Sequence, residues 1–405
     1  MKSFSNYLLT LLFICFIIGI GAYVWLSEKA DISFYENRTL AKMPEISVEK
    51  MLDASFTKEY ETYFTDHFAG KDRWVKGYIQ WQMLTNQTLI QDYYIAADDW
   101  IYPKPADELE YDQIDFSIKN VKQLSEYTQK HNMEFFLFSL PNRYLILEPP
   151  YPAYLSNNYE FKHKEYYFNE LSKIDALNVI DVSQSFEDQF SYEKLKNMYY
   201  QTDHHWTVDG AFEAYKIIYN SLNEKYDLFQ EPSFNEANFD RQCYDQNFIG
   251  SYNRQLYELI ETDDEVCTMM PTNFDFNTLE VYVDGEKLPW DSVYGSGLNK
   301  EADFIDYAGI FTKDFRELNI INPAKEDGAK VLFIKDSYAN PMSFWLAQHF
   351  YQTTFFDIRH NQDRTLYEYL NNNEFDAIVF LYNSTTVFAN MYNFNLEKLK
   401  EEWID

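Results

Sequence analysis

The C-terminal third of the chain alternates short apolar runs with segments of helical periodicity. The runs at 331–334, 353–358 and 375–381 predict strands that are buried on both faces of a sheet. The segments between them, 341–350 and 365–370, predict helices. Alternating strands and helices are typical of a parallel sheet with right-handed crossover connections.

The same alternation begins earlier in the chain. Apolar residues from Ile114 to Leu124 recur at helical spacing, and 134–138 is an almost continuous apolar run that predicts another buried strand. A further strand is predicted at 178–182 and a further helix at 207–219. The chain is therefore predicted to have an α/β fold with a mostly parallel sheet.

The pattern also predicts boundaries. Residues 1–27 are predicted to be a cytoplasmic tip and transmembrane anchor, and residues 28–100 a membrane-proximal linker followed by a helical region, with 56–84 helical. Residues 101–405 form the predicted α/β domain, interrupted by an irregular insertion at about 223–328. Within it, the alternating stretch 279–288 turns at Asp284-Gly285 and predicts a hairpin.

The N-terminal anchor is predicted from Tyr7 to Leu26, 20 residues without a charge. At about 1.5 Å per residue, such a helix spans roughly 30 Å, the thickness of a bilayer core. The alternative is a cleaved signal peptide. We predict an uncleaved single-pass anchor in the cell membrane, with the C-terminal domain outside the cell and Lys2 inside.

The formal net charge is −31. A surface this acidic repels nucleic acid and anionic lipid headgroups, so no nucleic-acid partner is predicted. Of the three cysteines, Cys15 lies in the apolar segment. Cys243 and Cys267 pair in a disulfide or remain two thiols, and the sequence leaves both alternatives open.

Candidate chemistry lies at two distant positions. Ser337 follows the predicted strand 331–334, and Asp203 stands two residues before His205. A serine hydroxyl needs a base, and the base needs a group that orients it, so these three residues can form a Ser-His-Asp site. The alternatives are helix capping for Ser337 and packing around Trp206 for the histidines.

Four further residues are candidates for substrate binding: Arg143, Asn383, Tyr338 and His204. Arg143 and Asn383 follow predicted strands, where ligands of such sheets bind. Their alternatives are a surface salt bridge for Arg143, a polar turn for Asn383 and core packing for Tyr338. The chemistry requires no metal and no organic cofactor, although an Asp-His-His run can also ligate Mn²⁺ in a phosphoesterase.

The run Tyr200-x-Thr202-Asp203-His204-His205-Trp206-Thr207 resembles the signature of the bacterial DHHW family, which is similar to the alginate O-acetylation proteins of the SGNH-hydrolase-like superfamily. Two N-terminal stretches share the resemblance: Glu36-Asn37-Arg38 with Pro44, and Tyr63-Phe64-x-Asp66-His67-Phe68 with Arg73. The resemblance implies an SGNH-like three-layer α/β domain that acts on acyl esters of cell-surface glycans. It carries over Asp203, His205 and Ser337 as the catalytic residues.

Lys335-Asp336 departs from the Gly-Thr that precedes the serine in those acetylation proteins. From the resemblance we expect an esterase or O-acyltransferase, with a glycan as its substrate and an acyl-donor membrane protein as its partner. A non-catalytic glycan-binding or scaffold protein on the same fold is the alternative.

Overall fold

A computed structural model describes residues 2–27, 29–155, 159–226, 236–295, 304–400 and 403. The chain divides into two compact units, one of residues 1–93 and 253–261 and a larger one of 94–252 and 262–405. Two parts of the predicted insertion, 227–235 and 296–303, lie outside the described residues.

The first unit is mainly helical. Its elements are α1 (Lys2–Leu26), β1 (Ile32–Ser33), β2 (Arg38–Thr39), α2 (Val48–Leu52), α3 (Ser55–Asp66) and α4 (Lys71–Leu84). Residues Asn6–Leu26 of α1 have a mean hydropathy of 2.4, enough for a membrane span, and fit either an anchor or a signal sequence. The single helix predicted at 56–84 is two helices, because the chain turns at Gly70 with a left-handed φ of 70°.

The two N-terminal stretches that carry the family resemblance contact each other inside this unit. Arg38 Nη1 donates to Asp66 Oδ2 over 3.0 Å, and the backbone N–H of Ala41 donates to the same oxygen over 2.8 Å. These contacts outweigh the burial of the carboxyl group and lower the pKa of Asp66 to about 2. His67 Nε2 also lies 2.9 Å from Ala41 O, so hydrogen bonds connect the two stretches directly.

The strands along the rest of the chain are β3 (Tyr93–Ile95), β4 (Ile101–Pro103), β5 (Glu134–Leu140), β6 (Asn178–Asp181), β7 (Phe239–Tyr244), β8 (Asn247–Phe248), β9 (Val266–Pro271), β10 (Glu280–Val283), β11 (Glu286–Leu288), β12 (Phe304–Ile305), β13 (Glu317–Ile321), β14 (Lys330–Lys335), β15 (Gln352–Phe356) and β16 (Ala377–Asn383). The helices are α5 (Tyr111–Lys130), α6 (Arg143–Ile146), α7 (Glu160–Leu171), α8 (Val182–Gln189), α9 (Tyr192–Lys196), α10 (Val208–Tyr226), α11 (Ser251–Gln255), α12 (Tyr307–Ile310), α13 (Ser343–Ala347) and α14 (Leu366–Asn372).

An eight-stranded sheet organises the larger unit, in the order β11-β10-β13-β15-β14-β16-β5-β6. The five strands from β15 to β6 are parallel, whereas β13, β10 and β11 add antiparallel pairs at one edge. All five predicted strands are present, the four predicted from apolar runs being mostly buried and β6 partly exposed, and the predicted α/β fold with a mostly parallel sheet is confirmed.

The sheet is covered on both faces, as its apolar strands require. In β14, Val331 and Phe333 join one apolar core, whereas Leu332 and Ile334 join the other. Alternate residues of a strand point to opposite faces, so a strand without polar positions must be covered on both sides. The larger unit therefore has the three layers that were predicted.

The predicted hairpin is confirmed and belongs to this sheet. β10 pairs with β11 through Asp284 and Gly285, whose φ angles of 49° and 85° suit a tight hairpin turn, and β10 also pairs with β13. Earlier in the insertion, Cys243 and Cys267 form a disulfide between β7 and β9, which decides between the two alternatives left by the sequence. Cys15 is a free thiol.

The carboxyl ends of neighbouring parallel strands carry the polar residues of interest. Ser337 follows β14, Asn383 ends β16 and Asn142 follows β5. Because β14, β16 and β5 are adjacent, these residues lie along one edge of the sheet. The helix predicted at 341–350 begins differently: a 3₁₀ helix runs from Ser337 to Met342, with Pro341 inside it, before α13.

Candidate active site

Ser337 is presented at a tight strand-to-helix turn. The capping residue of the 3₁₀ helix is Asp336, whose Oδ1 accepts from the backbone N–H of Tyr338 over 2.9 Å. Ser337 is therefore the first helical residue rather than the cap, and its hydroxyl is not used for capping. Asp336 and Tyr338 are buried on either side, whereas Ser337 is partly exposed.

The three predicted catalytic side chains lie in contact. His205 Nε2 is 2.7 Å from Ser337 Oγ, and His205 Nδ1 is 2.6 Å from Asp203 Oδ1. Burial alone would raise the pKa of Asp203, but the neighbouring histidines and the hydrogen bonds to its carboxylate hold that pKa well below its usual range. An ionised Asp203 therefore fixes the His205 tautomer that leaves Nε2 as an acceptor towards the serine hydroxyl.

The imidazole is also held at a ring face, and its carboxylate partner accepts from two backbone N–H groups. Asp203 Oδ1 accepts from the backbone N–H of His205 over 2.9 Å, and Asp203 Oδ2 accepts from the N–H of Ser251 over 2.6 Å. The ring of Tyr307, on α12, lies parallel to the His205 ring at a centroid distance of 3.6 Å. The base is thus restrained in its plane as well as along its hydrogen bonds.

His204 occupies the rim of the site. Its side chain is 34% exposed, and its Nδ1 lies 2.8 Å from Ser251 Oγ. Burial and the adjacent His205 imidazole lower the pKa of His204 to about 3, so the side chain is neutral at physiological pH. A neutral, partly accessible imidazole next to His205 suits the predicted substrate contact, which stays a prediction.

Tyr338 is placed differently from its predicted role. Its side chain is fully buried, its hydroxyl donates to the backbone oxygen of His204, and its own backbone oxygen accepts from Trp206 Nε1 over 3.1 Å. A ring without an accessible face cannot form a floor for a sugar. The structure argues against the substrate contact. It identifies Tyr338 as a link between residues 336–338, called the serine turn below, and residues 200–206, called the histidine loop below.

Arg143 is also fully buried. Its Nη1 donates to the backbone oxygens of Tyr200 and Gln201 over 2.5 and 2.9 Å, and its guanidinium carbon lies 5.2 Å from the ring centres of Trp100, Tyr102 and Tyr252. Its Nε and Nη2 have no hydrogen-bond partner among the described residues. These contacts support the histidine loop from beneath and argue against the predicted direct contact with substrate.

Asn383 is partly exposed at the end of β16, but its amide is engaged. Nδ2 donates to Asp336 Oδ2 and Thr386 Oγ1, both over 2.8 Å. Both amide protons therefore have acceptors in this arrangement. Donation to a substrate oxyanion would require Asn383 to give up one of these bonds.

The two residues that depart from the family pattern have separate structural roles. Lys335 Nζ lies 2.7 Å from Asp314 Oδ1 and 2.7 Å from Asn340 Oδ1, so this buried cation is paired away from the serine. Asp336 Oδ2 accepts from the backbone N–H of Asn383 over 2.8 Å and ties the serine turn to β16. The Lys-Asp pair therefore supports the turn and leaves the serine–histidine contact intact.

Three clusters have donor atoms close enough for a metal, but their donors are already engaged. Both ring nitrogens of His205, in the Asp203-His204-His205 cluster, contact Asp203 and Ser337. In the second cluster, Cys243 and Cys267 are joined to each other beside Glu265. In the third, Asp314 and Asp357 flank His360 and are paired with Lys335 and Arg359. In each of these three sets, at least two of the donor residues therefore already have a partner within the protein.

Sequence reasoning missed the residues that hold the histidine loop. Ser251, Asp264 and Tyr307 all come from the stretch treated as an irregular insertion. None of them lies in a periodic or motif-like pattern. Gly250, a residue type common in turns, is the nearest sequence signal.

Comparisons with known proteins agree with this fold. Residues 94–256 match the family model "SGNH hydrolase-like domain, acetyltransferase AlgX", and residues 176–355 match "DHHW protein". A search of curated proteins found no match.

Among solved structures, PatB1 from Bacillus cereus is 28% identical, with a TM-score of 0.66 over 74% of this chain and 98% of its own. A structure of the same protein with a sulfonyl adduct is 26% identical, with a TM-score of 0.65 over 74% of this chain and 97% of its own. A DHHW family protein from Eubacterium siraeum, 17% identical with a TM-score of 0.54 over 76% of this chain and 97% of its own, shares the fold.

These likenesses support an enzyme rather than a non-catalytic protein on this fold. The resemblance to DHHW proteins and to SGNH hydrolase-like acetyltransferases, which was predicted from the motifs of the chain, is therefore confirmed.

Proposed function

We propose that this chain is an extracytoplasmic O-acyltransferase or acyl-ester hydrolase that acts on a cell-surface or secreted glycan through Ser337, His205 and Asp203. The observation that carries the proposal is the continuous contact from Asp203 Oδ1 through His205 to Ser337 Oγ, with steps of 2.6 and 2.7 Å. Nucleophile, base and orienting carboxylate at hydrogen-bond distance are the requirement for activating a serine.

In the proposed reaction, Ser337 Oγ attacks the carbonyl carbon of the acyl donor while its proton passes to His205 Nε2. The tetrahedral intermediate collapses to an acyl-serine as His205 returns the proton to the leaving oxygen. A glycan hydroxyl then loses its proton to His205 and attacks the acyl-serine. The bond from the acyl carbon to Ser337 Oγ breaks as His205 returns the proton to that oxygen, so the acyl group passes to the glycan. Water in place of the hydroxyl makes the enzyme an esterase. Asp203 stays ionised throughout and stabilises the imidazolium.

The negative oxygen of the intermediate needs hydrogen-bond donors. Among the described residues, the backbone N–H of Tyr338 is used by Asp336, whereas no hydrogen bond engages the N–H of Ser337. We assign the Ser337 N–H as the first donor. Asn142 Nδ2, only weakly engaged by Asn383 Oδ1 at 3.5 Å, and Asn383 itself are the candidates for the second.

The proposed setting is the outer face of a membrane. The apolar helix α1 is the first element of the first unit and suits a single-pass anchor, with the α/β domain outside the cell. An anchored enzyme can receive acyl groups from a membrane protein that brings them across the bilayer, so an acyl-donor membrane protein is the proposed partner. We propose a glycan as the substrate because the motifs of this chain resemble those of the alginate O-acetylation proteins, and because residues 94–256 match the model of an SGNH hydrolase-like acetyltransferase.

The test is hydrolysis of 4-nitrophenyl acetate by the full-length protein in detergent. Ser337→Ala and His205→Ala are expected to lower kcat by about 10³- to 10⁶-fold. Ser172→Ala and His131→Ala change an exposed serine and an exposed histidine elsewhere and are expected to keep wild-type rates. Equal rates in all five proteins would overturn the proposal and favour a non-catalytic glycan-binding role.

A second assay separates transferase from esterase. Soluble cell-wall oligosaccharides are added with the acetyl ester, and the products are analysed by mass spectrometry. A gain of one acetyl group on the sugar in wild type, absent in Ser337→Ala, identifies a transferase. Release of acetate alone identifies an esterase.

A further inference from the structure

Thr202, the residue before Asp203, is held at each of its polar groups. Asp264 Oδ2 accepts from the backbone N–H of Thr202 over 2.9 Å and from its hydroxyl over 2.7 Å. The backbone oxygen of Thr202 accepts from the N–H of Tyr252 over 3.2 Å. Asp264 Oδ1 also accepts from the N–H of Gln201 over 2.7 Å. Since Thr202 has no exposed surface, these bonds fix where the following carboxylate, Asp203, can point.

Asp203 and His204 are held by the residue next to Tyr252. Ser251 donates its N–H to Asp203 Oδ2 over 2.6 Å, and its hydroxyl lies 2.8 Å from His204 Nδ1. Gly250 makes this approach possible, because a Cβ at that position would lie only 2.3 Å from Thr202 O. The backbone at 250–252 therefore runs directly against the histidine loop.

The residues that hold the loop, Gly250, Ser251, Tyr252 and Asp264, will be called the triad clamp. All four lie between Cys243 and Cys267, whose disulfide closes this stretch at the paired strands β7 and β9. Asp264 is only three residues from Cys267. Closing a loop covalently reduces the number of arrangements open to the residues within it, so the disulfide favours the arrangement that clamps the triad.

We infer that Asp264 is a positioning residue for acyl transfer, acting with Ser251 inside the disulfide-closed loop to hold Asp203 and His205 in line with Ser337. The inference rests on the proposed function. Asp264 touches no reacting atom, so its effect passes through Thr202 to Asp203. Group transfer is sensitive to such placement, since a shift of about 1 Å in a catalytic group can cost about 100-fold in rate.

The neighbouring carboxylate shows that Asp264 is not an ordinary surface acid. Asp263 is exposed, whereas Asp264 is partly buried, and its burial raises its pKa despite the hydrogen bonds it accepts. Bringing a carboxylate into such a place is unfavourable unless donors surround it, and three donors converge on Asp264. The pair Asp263 and Asp264 therefore offers a matched control with the same change of charge.

The experiment compares Asp264→Ala, Asp264→Asn and the control Asp263→Asn with wild type in the full-length protein. Two rates are measured: kcat and KM for 4-nitrophenyl acetate, and labelling of Ser337 by phenylmethanesulfonyl fluoride, followed as a mass increase. We expect Asp264→Ala to lower kcat and the labelling rate about 10- to 100-fold with KM nearly unchanged. Asp264→Asn keeps one acceptor oxygen and is expected to retain part of the rate, while Asp263→Asn matches wild type.

Several outcomes would overturn the inference. Wild-type kcat and labelling in folded Asp264→Ala, or a rise in KM alone, exclude a positioning role. A loss of rate that only parallels a loss of folded protein, measured by circular dichroism, shows a purely structural role. If Asp264→Ala does not fold, the comparison of Asp264→Asn with Asp263→Asn decides. Absence of Ser337 labelling and of ester turnover in wild type would instead contradict the proposed function.

The disulfide allows a second, independent test of the inference. The double variant Cys243→Ser/Cys267→Ser is expected to lower the labelling rate in the same direction as Asp264→Asn. The lone thiol variant Cys15→Ser is expected to match wild type, because Cys15 lies in α1. An unchanged labelling rate in the double variant would show that the clamp holds without the disulfide and would remove that part of the inference.

Discussion

Ser337 and His205 meet at one point but are supported in different ways. Ser337 stands two residues beyond β14, which is buried on both faces and paired with β15 and β16 over its length. His205 belongs to a loop without helix or strand. A bridge between Tyr199 and Trp206 anchors this loop, together with hydrogen bonds to the backbone of Ser251 and the side chain of Asp264. The sheet therefore sets the position of the nucleophile, whereas tertiary hydrogen bonds set the position of the base.

The two sides are joined by buried contacts that do not take part in the proposed chemistry. Trp206 Nε1 donates to Tyr338 O over 3.1 Å, and the Tyr338 hydroxyl donates to His204 O. Deeper in the core, the hydroxyl of Tyr215 on α10 lies 2.5 Å from His349 Nε2, just beyond α13. Helix α10 follows the histidine loop, and α13 follows the serine turn. These contacts therefore set the position of the histidine loop relative to the serine turn.

Among changes to the residues that support Ser337 and His205, the largest expected effect comes from the loop side. Asp203→Asn should lower kcat about 10³- to 10⁴-fold, because an amide no longer holds the His205 tautomer or stabilises the imidazolium. The matched change on the strand side is Asp336→Asn. Asp336 accepts from the N–H of Tyr338 and from the N–H and Nδ2 of Asn383, and an amide keeps only one of the two acceptor oxygens. Because the sheet still holds the turn, we expect a loss of about 1.5–3 kcal/mol, or about 10- to 150-fold in kcat.

Both variants are compared by ester turnover at saturating substrate. A loss in Asp336→Asn as large as that in Asp203→Asn would break the contrast between the two supports. The serine turn would then depend on side chains as much as the histidine loop does.

The next effect tests the close approach behind the loop. Gly250→Ala places a methyl group 2.3 Å from the backbone oxygen of Thr202, so one of the two segments must move. We expect a loss of about 1–3 kcal/mol in the free energy of unfolding, together with reduced ester turnover. The measurements are denaturant unfolding and the esterase assay.

Gly77→Ala on α4 is the control, because nothing lies within 4 Å of a Cβ there and alanine favours a helix. Its free energy of unfolding should not fall. Full stability and activity in Gly250→Ala would show that the loop tolerates displacement, contrary to the clamp.

The same contrast explains how much the sequence could predict. The strands and the Ser337 position were predictable because an apolar run without polar positions has one common structural meaning, a strand buried on both faces. The hairpin at Asp284-Gly285 was predictable because few residues adopt its positive φ angles. These signals are local, and the sheet follows from them.

The residues that hold His205 carry no such local signal. Ser251 contacts Asp203 from 48 positions away, and Tyr307 stacks on His205 from more than 100 positions away. Their side chains are common in loops, and only the tertiary fold selects them. The break at Gly70 between α3 and α4 was missed for a related reason, since the apolar spacing continues across it.

A smaller effect concerns the stability of the contact between Tyr215 and His349 at low pH. Burial lowers the pKa of His349 to about 3 from its ordinary 6.5, so the unfolded chain binds a proton below pH 6.5 that the folded chain does not. The stability supported by neutral His349 is present above that pH and is lost as the pH falls towards 3. Between pH 4 and 5.5, this one proton steepens the fall by about 1.4 kcal/mol per pH unit.

His349→Gln removes the titrating group while keeping a polar partner for Tyr215. Its unfolding free energy should fall less steeply with acid by that amount per pH unit, and above pH 7 the slopes of the two proteins should coincide. Urea unfolding at half-unit pH steps measures both slopes. Equal slopes for wild type and His349→Gln between pH 4 and 5.5 would mean that the folded protein tolerates a charged His349 beside Tyr215.

The smallest effect tests whether the aromatic face contributes to holding the base. Tyr307 lies parallel to His205 with an angle of 5° between the planes. Tyr307→Phe keeps the ring and should retain kcat, whereas Tyr307→Leu removes it and should lose about 0.5–1.5 kcal/mol of positioning, or about 2- to 12-fold in kcat. If phenylalanine and leucine lowered kcat equally, the hydroxyl rather than the ring would matter. If neither changed kcat, hydrogen bonds alone would hold His205, and the loop side would depend entirely on Asp203 and the triad clamp.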